Sequence, residues 1–201
     1  MLLTGYELIE QKENSVIIPD GTQLDFGAVA KGYTGDRVSA LMKEEYGVTS
    51  ALLNLGGNVQ AIGRKPDGTP WRIGIRDPYG EDMLGTLEVE DAAVITSGGY
   101  ERFFAGEDGT IYWHIIDPST GYPADSGLLS VTVTGQEGTV CDALSTALFV
   151  MGADSATAYW KAHAGFDMIL VTEQEEIYVT EGIAEQFEIT STQFSIKILN
   201  K

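Results

Sequence analysis

A core helix is encoded by Val140-Cys141-Asp142-Ala143-Leu144-Ser145-Thr146-Ala147-Leu148-Phe149-Val150-Met151-Gly152. Apolar residues recur in it at the i, i+3, i+4 spacing of a helix face that packs against a core. That predicted face consists of Val140, Ala143, Leu144, Ala147, Leu148 and Met151. We expect Thr139 to cap the start of the helix and Gly152 to end it.

The same helix carries oxygen donors on its polar side. Asp142 and Thr146 are four residues apart and so project from one side, with Ser145 one step away. A carboxylate and a hydroxyl stacked in this way are hard oxygen ligands of the kind that Mg²⁺ or Ca²⁺ prefers. The alternative is that Asp142 is an acidic first-turn residue favoured by the helix dipole, and that Thr146 has no role of its own.

Short strands and turns surround this helix in the sequence. Patterning predicts a hairpin over residues 7–24, a helix over 29–46 with Val38, Leu41, Met42 and Tyr46 as its apolar face, and a second late helix over 154–164. A closing hairpin pairs residues 167–172 with 177–180, and the chain after Glu181 is weakly patterned. Further strands are predicted at residues 50–54, 58–62, 71–76, 84–90, 93–96, 101–104, 111–115 and 129–134. The fold class is therefore α+β with mostly antiparallel neighbours, because the connections are short.

Charge and cysteine content exclude several classes of protein. Thirty acidic and twelve basic residues give the 201-residue chain a formal net charge of −18, which disfavours binding to nucleic acid or anionic lipid. The single cysteine, Cys141, excludes an internal disulfide and a cysteine-built metal site, and its apolar surroundings predict a buried side chain. Because no apolar run reaches about 18 residues, we expect no membrane span in this chain.

Three glycine-rich segments are suited to binding a ligand. Residues 25–33 bring small side chains and Lys31 to a helix start, which suits a phosphate but is also typical of tight packing. The glycine spacing there matches neither a Rossmann fingerprint nor a P-loop. Residues 54–58 carry Gly56-Gly57, which is enough for a plain hairpin turn. Residues 96–100 place hydroxyls and backbone N–H groups after a strand, as in an anion-binding nest.

His114 is one of only two histidines and lies at the end of a predicted strand, before the turn Asp117-Pro118-Ser119-Thr120-Gly121. An imidazole in this position suits a general base near neutral pH, although a structural histidine is the alternative. His163 is best explained by the end of its helix. A serine-hydrolase triad of Ser97, His114 and Asp117 is disfavoured, because Ser97 lacks the G-x-S-x-G context and Asp117 follows His114 too closely.

Together these segments resemble the ApbE-like flavin transferases, the FAD:protein FMN transferases. The resemblance runs from residue 25 to about residue 152 and is weakest over the last 20 residues. The matching segments, in the order of the family, are residues 25–33 with Asp36, residues 54–57, residues 71–78, residues 96–98, residues 114–118 with Thr120 and Gly121, and residues 142–147.

The resemblance implies a T-fold-like α+β fold with packed helices, in one domain over residues 1–201 that lacks the N-terminal portion of the family. It implies Mg²⁺-dependent transfer of FMN from FAD to a Thr or Ser hydroxyl of an acceptor flavoprotein, with release of AMP. Two alternatives stay open: a metal-dependent FAD pyrophosphatase that gives FMN and AMP, and a non-catalytic FAD-binding module. The family's usual location is bacterial and extracytoplasmic, with a membrane anchor on a leader that this chain would lack. Apolar surface left exposed without the N-terminal portion would promote self-association.

The resemblance also assigns roles to residues. Asp142 and Thr146 would supply side-chain oxygens to the metal, and Ala28 and Ser145 would supply backbone carbonyls. Ser145 stands where the family commonly has Ala, a departure that a carbonyl ligand survives. His114 falls on the position of the proposed base, which deprotonates the acceptor hydroxyl. The residues implied to surround FAD are Lys31, Asn54, Gly56, Gly57, Ser97, Gly98 and Asp117.

Overall fold

Two α-helices, two short 3-10 helices (Tyr6–Leu8 and Glu181–Ile183) and fourteen strands form in the part of the chain that the computed structural model describes, namely residues 4–100, 103–107, 109 and 111–201. Helix α1 spans Ala30–Tyr46 and helix α2 spans Gly138–Ala162. The strands are, in chain order, β1 (Glu10–Lys12), β2 (Ser15–Ile17), β3 (Ala51–Leu55), β4 (Asn58–Ile62), β5 (Trp71–Arg76), β6 (Met83–Val89), β7 (Ala93–Gly98), β8 (Phe103–Ala105), β9 (Ile111–Trp113), β10 (Leu128–Gly135), β11 (Phe166–Thr172), β12 (Glu176–Thr180), β13 (Phe187–Ile189) and β14 (Ser195–Leu199).

Three layers build the fold. A central sheet of seven strands has the order β14-β12-β11-β10-β7-β4-β3 and is antiparallel at every step except between β12 and β14. Both α-helices cover one face of this sheet, and the three-stranded sheet β13-β6-β5 covers the other. Alternation along β7 shows the division, because Ala93 and Ile95 belong to the core under α2, whereas Val94 belongs to the core under the small sheet. The expected α+β class with mostly antiparallel pairing is confirmed.

Helix α1 packs through small residues instead of the predicted apolar face. Its buried residues are Gly32, Gly35 and Ser39, whereas Leu41 and Tyr46 are exposed. A Cβ atom added to Gly32 would lie 2.2 Å from the carbonyl oxygen of Gly138, so the two helix backbones approach closely there. Small residues at i, i+3 and i+7 thus determine which side of α1 meets its neighbours.

Helix α2 joins the two helices that were predicted over residues 140–152 and 154–164. Gly152 has φ 78° and ψ 167°, so the expected helix end is a break inside one longer element. The predicted apolar face is rotated in part, because Val140 and Met151 are exposed while Cys141, Ser145 and Leu148 are buried. The prediction that Cys141 is buried is confirmed. The pKa of its thiol is raised to about 12, and burial is the largest cause of that rise.

The expected N-cap of α2 is wrong. The helix begins at Gly138, and Thr139 Oγ1 donates a hydrogen bond to Asp36 instead of accepting one from its own helix. His163, by contrast, closes the C-terminal end of α2 as predicted, with Nδ1 2.8 Å from the carbonyl oxygen of Tyr159.

Strand boundaries mostly match the patterning, but the hairpin predicted over residues 7–24 pairs only within residues 10–17, and β7 extends two residues beyond the predicted strand 93–96. Strand β9 ends at Trp113, so His114 follows the strand instead of lying in it. The tail after Glu181 forms β13 and β14, although its sequence pattern is weak. Residues 101–102 of the predicted strand 101–104 lie outside the described residues. No helix in the described ranges has the length and apolar content that crossing a bilayer requires.

Candidate active site

Asp142 lies one turn into α2 and faces the start of α1. Its side chain is buried, and Oδ2 accepts a 2.8 Å hydrogen bond from the N–H of Gly32. That N–H belongs to the first turn of α1, where backbone N–H groups have no partner within the helix. No hydrogen bond to Oδ1 is found among the described residues, so one carboxylate oxygen stays available to another ligand.

Three hydroxyls converge beside Asp142. Ser97 continues the alternation of β7 towards α2, and its Oγ lies 2.8 Å from Ser145 Oγ and 3.1 Å from Thr146 Oγ1. Ser145 Oγ also donates to the carbonyl oxygen of Asp142 at 2.9 Å. Two sequence-predicted segments, one on β7 and one on α2, are therefore in direct contact.

The start of α1 brings Ala28 and Lys31 to the same region. Ala28 lies just ahead of the helix, and its carbonyl oxygen has no backbone partner in the described ranges, since the Gly32 N–H that would ordinarily reach it donates to Asp142. Lys31 Nζ lies 3.5 Å from the carbonyl oxygen of Gly56. This contact joins the α1 start to the turn between β3 and β4.

The turn between β3 and β4 is built by Asn54, Gly56 and Gly57. Gly56 and Gly57 have φ 62° and 94°, values that favour glycine and are typical of a two-residue hairpin turn. Asn54 Oδ1 accepts a 2.9 Å hydrogen bond from the N–H of Gly57. The hairpin prediction is thus confirmed, and the turn lies next to Lys31.

His114 is exposed at the end of β9, between two anchored neighbours. Trp113 packs against Gly99, where an added Cβ would lie 3.1 Å from the indole ring, and Gly99 comes two residues after Ser97. Ile115 is buried in the core under α2, and its carbonyl oxygen accepts a 2.9 Å hydrogen bond from Ala124. These contacts hold the backbone at His114 beside the end of β7 that carries Ser97 and Gly98.

Asp117 shapes the turn that follows His114. Its Oδ1 accepts a 2.8 Å hydrogen bond from the N–H of Ser119, and its carbonyl oxygen accepts bonds from the N–H groups of Thr120 and Gly121. Hydrogen bonds from the Ser119 side chain and N–H lower the pKa of the Asp117 carboxyl. The Asp117 carboxylate bonds within its own turn and the Ser97 hydroxyl bonds to those of α2, and neither contact is one that a serine-hydrolase triad uses.

The donor set beside Asp142 suits a hard divalent cation. No group of three or more carboxylate, imidazole or thiol side chains is arranged to hold a metal ion in the described part of the chain. A cation here would depend on one carboxylate, the Thr146 hydroxyl and carbonyls of Ala28 and Ser145. Mg²⁺ accepts such a sparse set, because water and substrate phosphates complete its six oxygen ligands. The Ser145 carbonyl has only its second lone pair to offer, since the helix uses the first.

Asp36, which the sequence placed in a family segment without a role of its own, lies in the same region. Its carboxylate, on α1, accepts hydrogen bonds from the N–H groups of Gly138 and Thr139, the Thr139 hydroxyl and Gln60 Nε2. It therefore caps the start of α2 from 102 residues away. Its position just after residues 25–33, in a segment that resembles the family, is the sequence signal for it.

A cleft in another part of the described structure contains none of the predicted site residues. Its volume is about 940 Å³, and it is lined by the end of β6 with the loop that leads to β7, the end of β10 and both ends of α2. It includes Cys141, Trp160 and His163. This cleft therefore does not coincide with the residues that the sequence singled out.

Comparisons with a family model and with curated proteins both show similarity to ApbE proteins. The model of the ApbE family matches residues 1–170, a range that holds every predicted site residue. The FAD:protein FMN transferase of Treponema pallidum (strain Nichols) is 37% identical over 187 residues, which are 88% of this chain and 51% of that protein. The FAD:protein FMN transferase of Klebsiella pneumoniae (strain 342) is 38% identical over 162 residues, which are 80% of this chain and 49% of that protein.

Solved structures show the same similarity. The crystal structure of the ApbE protein from Thermotoga maritima superposes with a TM-score of 0.80 at 38% identity, over 90% of this chain and 59% of that one. The apo form of the flavinyl transferase ApbE from Pseudomonas stutzeri gives a TM-score of 0.72 at 33% identity, over 98% of this chain and 56% of that one. The chain spans about half the length of the curated relatives it matches.

Proposed function

The chain belongs to the ApbE family, and on that basis we propose that it transfers FMN from FAD to a Thr or Ser hydroxyl of an acceptor flavoprotein in a Mg²⁺-dependent reaction that releases AMP. The names of its relatives support the flavin chemistry. The observation that carries the proposal is the contact of Ser97 with both Ser145 and Thr146, where the Ser145 hydroxyl also bonds to the carbonyl oxygen of Asp142. It joins two family segments 48 residues apart into one cluster of oxygen donors.

In this proposal the cation is held by Asp142, Thr146 and the carbonyls of Ala28 and Ser145. When bound, Mg²⁺ supplies charge neutralisation on the pyrophosphate oxygens of FAD. Lys31 adds a positive charge at the N-terminus of α1, whose N–H groups also favour phosphate. Such local cations are needed because the chain as a whole carries −18 and would otherwise repel an anionic substrate.

His114 takes the role of general base. Its imidazole removes the proton from the acceptor hydroxyl while that oxygen bonds to the FMN phosphorus. The bond from that phosphorus to the bridging oxygen breaks, and its electron pair leaves with AMP. In this scheme FAD is surrounded by a set of residues from four segments, namely Lys31, Asn54, Gly56, Gly57, Ser97, Gly98 and Asp117. Ser97 holds the Thr146 hydroxyl in place through the 3.1 Å contact.

One incubation tests the proposal. The chain is mixed with FAD, MgCl₂ and a purified acceptor flavoprotein domain, and the products are analysed by intact-protein mass spectrometry and by chromatography of the nucleotides. An acceptor that carries one covalent FMN, with an equivalent of AMP, is the expected result. Controls replace the acceptor Thr or Ser by Ala and replace Mg²⁺ by EDTA. Free FMN and AMP without an adduct would instead establish a pyrophosphatase, and intact FAD would leave only a binding module.

The same proposal treats residues 1–201 as one flavin-transferase domain. The family match over residues 1–170 and the continuous central sheet, which extends from β3 to β14, support it. Limited proteolysis tests it, since a single domain is expected to resist cleavage between β3 and β14 as a unit. An extracytoplasmic location belongs to the proposal as well, and it is tested by fractionation of cells that express the natural gene.

A further inference from the structure

Helices α1 and α2 cap each other's N-termini. The Gly32 N–H of α1 donates to Asp142 on α2, while the Gly138 and Thr139 N–H groups of α2 donate to Asp36 on α1 at 2.7 and 2.8 Å. Neither local N-cap residue makes a side-chain cap bond of its own. Each helix start therefore depends on a carboxylate that the other helix supplies.

Close packing fixes the two helix starts relative to each other. A Cβ at Gly32 would lie 2.2 Å from the Gly138 carbonyl oxygen and 2.7 Å from Asp142 Cβ. A Cβ at Gly138 would lie 2.9 Å from Asp36 Oδ1. Since protein interiors repack only in part after a displacement, a shift of the first turn of α2 also shifts Asp142, one turn further along.

Asp36 is held in its own place from several sides. Thr139 Oγ1 donates to Oδ2 at 2.6 Å, and Gln60 Nε2, on β4, donates to Oδ1 at 3.0 Å. Burial raises the pKa of Asp36, but the hydrogen bonds from Thr139, Gln60 and Gly138 outweigh it, so the net pKa is lowered and the carboxylate stays ionised. A negative charge at the start of α2 is also favoured by the helix dipole.

We propose that Asp36 is a positioning residue, which sets the place of the Asp142 carboxylate by capping α2. The inference rests on the proposed function for its consequence, because Asp142 is the proposed cation ligand there. Asp36 itself acts at a distance: its four hydrogen bonds go to α2 and β4, and Asp142 is reached only through the helix. Partners that orient a metal ligand in this manner typically change metal affinity by about 10- to 100-fold when they are replaced.

The test compares Asp36→Asn with a matched control, Asp91→Asn. The Asp36 variant keeps the size of the side chain but places an NH₂ group against donors of Thr139 or Gly138. Asp91 also accepts a backbone N–H, from Gly63, and bonds Lys43 on α1, but it has no hydrogen bond to α2. Amide hydrogen exchange by NMR and Mg²⁺ affinity by calorimetry, with MgCl₂ alone as the probe, are measured for both variants and for the parent chain.

In Asp36→Asn we expect faster exchange at Gly138, at Thr139 and also at Gly32, whose N–H reports on Asp142, together with a rise of about 10-fold in the Mg²⁺ dissociation constant. Asp91→Asn should leave the Gly32 exchange rate and the Mg²⁺ affinity unchanged. Faster exchange at Gly138 and Thr139 with an unchanged rate at Gly32 would overturn the proposal. If Asp36→Asn does not fold, Thr139→Val takes its place, because it removes only the hydroxyl donor to Asp36. We expect it to change the exchange rates and the Mg²⁺ affinity in the same direction, but by less.

The two arms separate this inference from the proposed function. If the parent chain does not bind Mg²⁺, the metal assignment fails, but the Gly32 exchange rate still decides whether Asp36 positions Asp142. If the parent chain binds Mg²⁺ and Asp36→Asn binds it equally well with Gly32 unaffected, the metal assignment stands and the positioning role is wrong.

Discussion

At the scale of single residues, the candidate site consists of a hydrogen-bonded cluster around Asp142 and of His114, whose proposed role requires a bound substrate. Asp142, Ser145, Thr146 and Ser97 are tied together by hydrogen bonds. His114 is exposed and set between Trp113 and Ile115, which are anchored to the body of the fold. The proposed general base must meet the hydroxyl of an acceptor protein, so exposure suits His114, whereas burial suits Asp142 as the proposed ligand of a cation.

His114→Ala should keep FAD binding and lose most FMN transfer. A positioned base typically contributes about 10²- to 10⁴-fold to the rate, and the loss should lie in that range. FAD affinity is measured by fluorescence titration, and transfer is measured by the amount of flavinylated acceptor. Near-normal turnover in this variant would refute the base assignment. His163→Ala, which alters the other histidine at the far end of α2, is the matched control and should leave transfer intact.

Asp142→Asn should weaken Mg²⁺ binding while preserving the fold. The amide oxygen can still accept the Gly32 N–H bond, so the cap on α1 is retained, but the negative charge that binds the cation is lost. Calorimetric titration with MgCl₂ measures the effect, and the far-UV circular dichroism spectrum checks the fold. Unchanged Mg²⁺ affinity would show that Asp142 serves only as a helix cap.

The stability contributed by Asp36 should disappear in acid. Its pKa is lowered in the folded chain, so the unfolded state binds more protons in this range and stability rises with pH. The contribution is therefore present above the unfolded pKa of about 3.9 and lost as pH falls through the lower folded value. The melting temperatures of the parent chain and Asp36→Asn should differ at pH 6 and converge below pH 4. A constant difference over that range would contradict this account.

At the scale of elements, local pattern predicted most strands but not how the helices pack. Strand β5 matches the prediction because its alternating apolar residues report burial on one side of a sheet. Strand β4 has the predicted bounds, although its burial does not alternate. The face of α1 was wrong because Gly32, Gly35 and Ser39 carry no hydrophobic signal, yet allow the closest approach. Thr139 resembles a cap locally, but the capping carboxylate comes from Asp36, and a partner 103 residues away has no signature in the local sequence.

Gly32→Ala should destabilise the contact between α1 and α2. The new methyl group would lie 2.2 Å from a backbone oxygen that cannot move freely, and such overpacking typically costs about 1–3 kcal/mol, more than alanine gains by helix propensity. The melting temperature should fall by about 2–4 °C per kcal/mol at this chain length. Gly80→Ala is the control, because its Cβ would meet only one atom, at 3.9 Å, and its melting temperature should stay within about a degree.

At the scale of the whole molecule, the sequence named the residues of the candidate site but not their contacts. The family segments supplied the residues that the proposal uses, and the fold supplies contacts that no spacing encodes, such as Ser97 against Thr146. The tail was missed because β14 is an exposed edge strand that pairs in parallel with β12, and such a strand lacks a buried alternation. Long-range pairing of this kind depends on the finished sheet instead of on local preference.

Self-association should increase with ionic strength. Phe26 and Tyr33, near the start of α1, are 64% and 57% exposed and form apolar surface, while the net charge of −18 keeps copies apart. Salt screens that repulsion, with a Debye length of about 10 Å at 0.1 M and 3 Å at 1 M. Sedimentation velocity should show a larger dimer fraction at 1 M than at 0.1 M NaCl. The double variant Phe26→Ser, Tyr33→Ser should stay monomeric, and Tyr122→Ser, which alters an equally exposed ring elsewhere, should not change the salt response.

The parallel strand β14 has a further consequence for solubility. This strand forms the edge of the central sheet and pairs with β12. Lys197, in the middle of β14, places its Nζ 2.6 Å from Glu176 Oε1. A charged side chain on a terminal strand discourages other chains from joining there. Shortening the protein after Ile189 would remove β14 and expose the unpaired backbone hydrogen-bonding groups of β12, which contains the apolar residues Ile177 and Val179. We expect such an edge to act as a template on which further copies pair and form fibrils.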